Sequence, residues 1–279
     1  MSLNLPTFYR RAASSVILVV VVVLGLLWSN ISVLVLASAI QMLCLYEFMK
    51  LCEKTEKDLR FSPVQVVITQ VVGLLWLWLP TFYYVMESPW PAFLFTPALI
   101  LIITTLGNVH SWKAGVYVLV GLLYIVLPLI LMVRIHNIYL NYLPIFIFVL
   151  IWTNDTMAYL IGSMIGKTHV SKISPGKTWE GTVGGGIMTI VGGLLIWYIF
   201  KFYNITDWII LAVIVSFTAP LGDLLQSQLK RLAGVKDSGN LIPGHGGALD
   251  RFDSLLVTLP FTFAYIWFFM PPFQTLKLG

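Results

Sequence analysis

Residues 207–270 read DWIILAVIVSFTAPLGDLLQSQLKRLAGVKDSGNLIPGHGGALDRFDSLLVTLPFTFAYIWFFM, and the two apolar runs within them, 207–226 and 253–270, decide the fold. Each run has about the 20 residues that an α-helix needs to cross the hydrocarbon of a bilayer. Between them, residues 227–253 gather Lys230, Arg231, Lys236, Asp237, His245, Asp250, Arg251 and Asp253. The whole chain has only 17 Lys and Arg and 12 Asp and Glu. Such a concentration marks the place where chemistry is done, and its flanks put that place at a membrane surface.

The rest of the chain agrees with an all-α, polytopic membrane protein. Charged residues make up 10% of it, apolar residues 58%, and mean hydropathy is +0.89, whereas soluble domains carry roughly 25% charged residues. Nine runs are candidate spans: 13–29, 31–49, 63–84, 92–107, 115–133, 143–163, 183–200, 207–226 and 253–270. Pro91 and Pro97 make the fourth the least regular. The first follows Arg10 and Arg11 but precedes no small-residue cleavage site, so it is expected to stay as a helix rather than leave as a signal peptide. With nine spans and a cytoplasmic N-terminus, fourteen of the 17 basic residues fall on the cytoplasmic side and only Arg134, Lys201 and Lys277 on the other. That asymmetry is what the positive-inside rule requires. Seven of the fourteen lie in the two candidate site loops; the seven that remain still outnumber the three. Cys44 and Cys52 are the only cysteines, and with no His cluster near them they read as buried, inert thiols.

Organisation is asymmetric along the chain. Residues 1–142 read as a five-helix transmembrane scaffold with ordinary solvated charge in its loops. Residues 143–279 read as a catalytic region, because the charge there lies inside or beside the hydrophobic layer. Asp155 and Asp223 fall within spans, where a charge costs about 2.5–3.5 kcal/mol on insertion scales and therefore usually faces a partner or a wet cavity. Ser227 and Lys230 follow Asp223 at helical spacing and share its face. Asp250 and Asp253 stand three apart at the start of the last span, directly after Gly246 and Gly247, which let backbone approach a ligand. Helix capping alone would explain the acids but not the glycines. Asp223, Asp250 and Asp253 offer oxygen ligands of the kind Mg²⁺ takes when it also holds substrate phosphates, and Asp155 is a further candidate metal ligand.

A second loop, residues 166–181, reads GKTHVSKISPGKTWEG. Gly176-Lys177-Thr178 is not a P-loop, since that motif needs glycine where Ser171 stands and a strand where a membrane helix stands. Lys167, Lys172, Ser174, Lys177, Thr178 and Glu180 instead form a short, turn-rich segment suited to closing over a polyanion. The two loops and their helix ends mix basic residues with nearly as many acids. A plain phosphate patch would not carry so many carboxylates, whereas metal-bridged phosphate chemistry uses both.

These motifs resemble those of the phosphatidate cytidylyltransferases, also called CDP-diacylglycerol synthases. The resemblance rests on Ser227-x-x-Lys230-Arg231, Lys236-Asp237 and Pro243-x-His245-Gly246-Gly247-x-x-Asp250-Arg251-x-Asp253. Two upstream elements extend it: Asp155-x-x-Ala158-Tyr159, and Ser174-Pro175-x-Lys177-Thr178-x-Glu180-Gly181. Ala248 departs from the pattern, which has a larger aliphatic there. The resemblance implies an integral membrane enzyme, a homodimer in the bacterial inner membrane, that joins CTP to phosphatidate on the cytoplasmic face and releases pyrophosphate. It implies a metal centre at Asp223 and Asp250, with Mg²⁺ as cofactor and K⁺ as the candidate monovalent ion. Lys230, Arg231 and His245 join the two aspartates as expected catalytic groups. Lys167, Lys172, Ser174, Lys177, Thr178, Glu180, Ser227, Lys236, Asp237, Gly246, Gly247 and Arg251 are the expected substrate contacts.

Two rival readings stay open at this stage. An ion-coupled transporter would use Asp155 and Asp223 for cations, but the chain shows no inverted halves. A cytidylyltransferase or kinase acting on another lipid phosphate or alcohol would carry the same phosphate chemistry, because no motif reads acyl chains.

Overall fold

The structure, a computed structural model, describes residues 5–82, 112–139, 141–171, 173–174, 176–239 and 246–272. Its elements are α1 (Leu5–Leu27), α2 (Asn30–Thr55), α3 (Pro63–Phe82), α4 (Trp112–Gly121), a π-helical turn at Leu122–Val126, α5 (Leu127–Ile138), α6 (Leu143–Ile165), α7 (Trp179–Phe200), α8 (Ile205–Leu232) and α9 (Leu249–Phe269). No strand occurs among the described residues; an isolated bridge joins His169 and Thr178. The all-α membrane fold expected from hydropathy is therefore the fold observed. Among the described residues six helices are long and apolar enough to cross a bilayer: Asn30–Thr55, Lys113–Ile138, Leu143–Ile165, Trp179–Phe200, Ile205–Leu232 and Leu249–Phe269. Val16–Leu27 and Pro63–Leu79 are shorter apolar helices. The expected span at 92–107 lies outside the described residues, so the count of nine does not follow from the structure.

By packing, the chain forms two compact units. The first comprises residues 1–130 and 229–251, the second residues 131–228 and 252–279.

In the first unit, α1 turns into α2 at Ser29, whose hydroxyl accepts the Ser32 amide while the Ser32 hydroxyl accepts the Ser29 amide, a reciprocal cap. Helix α2 packs through buried Leu34, Ala37, Ile40, Cys44, Leu45 and Phe48. Polar contacts fix its register. Gln41 Nε2 donates to the Gln70 carbonyl on α3 at 3.2 Å, and Trp78 Nε1 donates to Ser38 Oγ at 2.9 Å. In hydrocarbon, where lipid tails are as apolar as leucine, such bonds and close packing are what hold helices together. Cys44 and Cys52 are both buried and not joined in a disulfide, as expected.

Small residues do the corresponding work in the second unit. A Cβ built on Gly185 of α7 would stand 2.8 Å from the Asn154 carbonyl oxygen of α6, and one on Gly181 would stand 2.5 Å from that of Ala158. Glycine at that four-residue spacing lets the two backbones touch. Thr189 Oγ1 then reaches Asn154 Oδ1 at 3.3 Å. Helix α8 packs on α9 through Gly222, whose missing side chain admits the Asp253 carbonyl, and through Thr218 Oγ1, which donates to Thr258 Oγ1 at 3.0 Å. Trp208 is fully buried beside Phe146. Pro220 and Pro260 interrupt the ladders of α8 and α9, each removing one backbone donor.

Candidate active site

Several of the singled-out residues come together, in one polar cluster within each unit. In the second unit, α6, α7, α8 and the loop between α6 and α7 supply them. Lys177 forms an ion pair with Asp223 Oδ2. Ser227, one turn along α8, donates its hydroxyl to Asp223 Oδ1 at 3.3 Å, the i, i+4 relation expected from spacing. Asp155 is exposed on α6 and lies within electrostatic reach of both Lys177 and Asp223. Asp253 is 7% exposed, and its Oδ1 accepts the Ser254 amide at 2.7 Å.

The loop that carries Lys177 is shaped from its own ends. Glu180, in the first turn of α7, accepts the Lys167 amide at 3.1 Å and the Thr168 amide at 3.2 Å. Val170 N donates to Lys177 O and Trp179 N to Thr168 O. Thr178 caps α7 by accepting the Gly181 amide at 3.2 Å. These bonds fold the segment into a narrow hairpin with Lys177 beside α8, Lys167 exposed and Ser174 half-buried. Lys172 lies outside the described residues.

In the first unit, the end of α8, the following loop and the start of α9 supply the groups. Lys230 Nζ pairs with Asp250 Oδ1 at 2.8 Å, with side chains only 15% and 9% exposed. Asp250 Oδ2 accepts the Ser238 amide at 2.8 Å and the Gly247 amide at 3.3 Å. Gly246 sits at φ +81°, a left-handed conformation that glycine adopts without strain. A Cβ there would meet Asp250 and Asp237. Lys236, Asp237, Arg231 and Arg251 are exposed, and His245 lies outside the described residues.

One residue in this cluster was not singled out by sequence reasoning. Glu47, on α2, is 2% exposed and accepts bonds from Ser238, Ala248 and Leu249. No local signal identifies it, because its partners lie 191 or more residues away. Ala248, where the family-like pattern departs, is fully buried.

Among the described residues no group of three or more His, Cys, Asp or Glu side chains converges closely enough to form a cage for a metal ion. The donors suit Mg²⁺ nonetheless. That ion usually takes one or two carboxylates and completes its shell with substrate phosphates and water. Asp223 presents a carboxylate 38% exposed, and an ionised carboxylate has about four lone-pair sites, more than its lysine and hydroxyl partners occupy.

Helices that cross a bilayer, with lysine–aspartate pairs and glycine-bearing loops at their ends, define an integral membrane protein equipped for phosphate chemistry. The model of the cytidylyltransferase family matches residues 9–269, and the chain belongs to that family. A phosphatidate cytidylyltransferase of Staphylococcus aureus is 34% identical over 245 residues, covering 84% of this chain and 90% of that protein. One from Rickettsia bellii is 34% identical over 216 residues, covering 72% and 87%. A third, from Haemophilus influenzae, is 44% identical over 139 residues, about 46% of each chain.

Proposed function

We propose that this protein transfers the cytidylyl group of CTP to phosphatidate, giving CDP-diacylglycerol and pyrophosphate in phospholipid synthesis. The observation that carries the reading is the pairing of two lysines with two aspartates, Lys177 with Asp223 and Lys230 with Asp250, within the motifs that mark the family.

A phosphate monoester has its second pKa near about 6, so phosphatidate is largely dianionic at neutral pH. Its oxygen attacks the α-phosphorus of CTP, the bond from that phosphorus to the bridging oxygen breaks, and pyrophosphate leaves with the electron pair. The nucleophile arrives ionised, so no residue has to remove a proton from it. The obstacle is bringing two polyanions together, which alignment and fixed positive charge overcome. Lysine has three N–H donors. A carboxylate that holds one of them on Lys177 or Lys230 leaves others to meet phosphoryl oxygens. Arg231, Lys236, Arg251 and Lys167, all exposed, would bind the remaining phosphates. Lys172 is assigned the same role on its place in the lysine-rich loop and His245 on the family motif alone, and Ser174, Thr178 and the Gly246–Gly247 backbone would line the substrate's path.

On the family resemblance Asp223 and Asp250 would supply oxygen ligands to Mg²⁺, and Asp253 and Asp155 are further candidate ligands. When bound, Mg²⁺ would neutralise charge on the phosphoryl oxygens and on the departing pyrophosphate. K⁺ as a second cation and a homodimeric state belong to the proposal on the family resemblance. So do a cytoplasmic site and a place in a bacterial inner membrane, supported by the basic-residue asymmetry and by the bacterial relatives.

The test is purified protein in detergent with Mg²⁺, assayed against CTP, UTP and ATP, and against phosphatidate and an isoprenyl phosphate. The expected result is pyrophosphate release and a CDP-lipid only with CTP and phosphatidate. No CDP-lipid across several detergents and added phospholipids would overturn the assignment.

A further inference from the structure

Helix α9 begins at Leu249, directly after Ala248. Ala248 stands where Ser, Thr, Asp or Asn would normally accept the first free amides of a helix, and an alanine side chain accepts nothing. The amides of Ala248 and Leu249, at the same helix start, are met from α2. Glu47 Oε1 accepts the Ala248 amide at 3.0 Å, and Oε2 accepts the Leu249 amide at 2.9 Å. The same Oε2 accepts the Ser238 hydroxyl at 2.8 Å. One carboxylate therefore holds Ser238 together with Ala248 and Leu249.

Space at this point is fully used. A Cβ on Gly239 would stand 2.5 Å from Glu47 Oε1. One on Gly247 would stand 1.9 Å from Ser238 Oγ and 2.3 Å from Glu47 Oε2. Both glycines are required because the glutamate lies between them. Asp250 serves the neighbouring amides, of Ser238 and Gly247, and the Lys230 ammonium. The two acids thus divide the donors. Because Glu47 takes the amides of 248 and 249, Asp250 is left to the amides of Ser238 and Gly247 and to Lys230.

We propose that Glu47 is a positioning residue for the transfer reaction: it ties Ser238 to the start of α9 and so sets the place of Asp250 and Lys230. The inference rests on reading the Lys230–Asp250 cluster as catalytic.

The decisive variant is Glu47→Gln in the full-length protein. Both carboxylate oxygens face N–H or O–H donors, so whichever way the amide turns, its NH₂ meets a donor it cannot accept from. With folding intact, kcat should fall about 100-fold, the scale of a misplacement of about 1 Å at a reacting centre. KM for CTP and phosphatidate should stay within about threefold, since Glu47 touches neither substrate. Ser238→Ala, which removes one donor and no amide bond, should lower kcat about threefold to tenfold alone but less than about twofold on top of Glu47→Gln, because residues acting through one contact are not additive. A folded Glu47→Gln protein with wild-type kcat would overturn the inference, and so would a loss of activity no greater than the loss of folded protein. Should Glu47→Gln fail to fold, Ser238→Ala decides: unchanged kcat there refutes the role. Asp250→Asn serves as the reference. Activity retained in that variant would refute the catalytic reading of the cluster itself, whereas an inactive Asp250→Asn beside a fully active Glu47→Gln would refute only the role of Glu47.

Discussion

Lys230→Met is the perturbation whose consequence can be worked furthest from the geometry. The substitution keeps the length and apolar stem of the side chain and deletes the ammonium that pairs with Asp250 at 2.8 Å. Both side chains are largely shielded from water, at 15% and 9% exposure, so the lost charge is not replaced by solvent. Removing one partner of a buried pair costs about 3–5 kcal/mol, most of it for the charge left alone. Asp250 here keeps two backbone amides and a position in the first turn of α9, where the helix dipole favours an anion by about 0.3–1 kcal/mol. The expected cost is therefore smaller, about 2–4 kcal/mol. At about 2–4 °C per kcal/mol for chains of 150–250 residues, the thermal midpoint in detergent should fall by about 4–16 °C. Asp250→Asn should cost less, because the lysine stem can carry its charge toward water. Intrinsic tryptophan fluorescence or circular dichroism on heating, at one scan rate for all variants, reads the difference. A Lys230→Met midpoint within about 1 °C of wild type would show that the pair is not a buried ion pair of this kind and would refute the reasoning.

Asp223→Asn should cost under about 1 kcal/mol of stability, since the pair with Lys177 is partly exposed, with side chains 25% and 38% accessible. Turnover should nevertheless fall at least about 100-fold if Asp223 supplies Mg²⁺ and orients Lys177. A Mg²⁺ titration of the residual activity should show a weakened apparent affinity; recovery at high pH with unchanged Mg²⁺ dependence would mean a lost base instead. Cysteines placed at Ser171 and Lys236 should react only with maleimides that cross the membrane when added to intact cells. Labelling by an impermeant reagent would refute the cytoplasmic placement of both loops. Lys236 suits this test because it is exposed, whereas neighbouring Ser238 is buried against Glu47. The native Cys44 and Cys52 are buried and need no replacement.

Much of the architecture was readable before any tertiary contact was known, because crossing a bilayer is a local requirement. A run of apolar residues must close its own backbone hydrogen bonds within the hydrocarbon and does so as a helix, whatever its neighbours are. The runs at 143–163, 183–200, 207–226 and 253–270 each fall on a helix for that reason, although α8 extends to Leu232 and carries Lys230 and Arg231 with it. Local periodicity likewise identified the contact of Ser227 with Asp223. The acidic start of α7 was visible in Glu180, which turns out to hold the amides of Lys167 and Thr168.

What the sequence could not express is which charge meets which. Lys177, Asp223, Lys230 and Asp250 were all singled out by residue type and motif, but their pairing depends on how helices far apart in the chain come to lie side by side. The extreme case is Glu47. In sequence it is one acid near the end of a long apolar helix, beside Lys50 and Glu53, with nothing to separate it from solvated charge. Only the tertiary structure brings it to Ser238, Ala248 and Leu249 and places residues 229–251 in the same compact unit as the first helices. The physical reason is that hydropathy and helix capping are determined within a few residues, whereas satisfying a buried amide is a demand that any carboxylate the fold brings within 3 Å can meet.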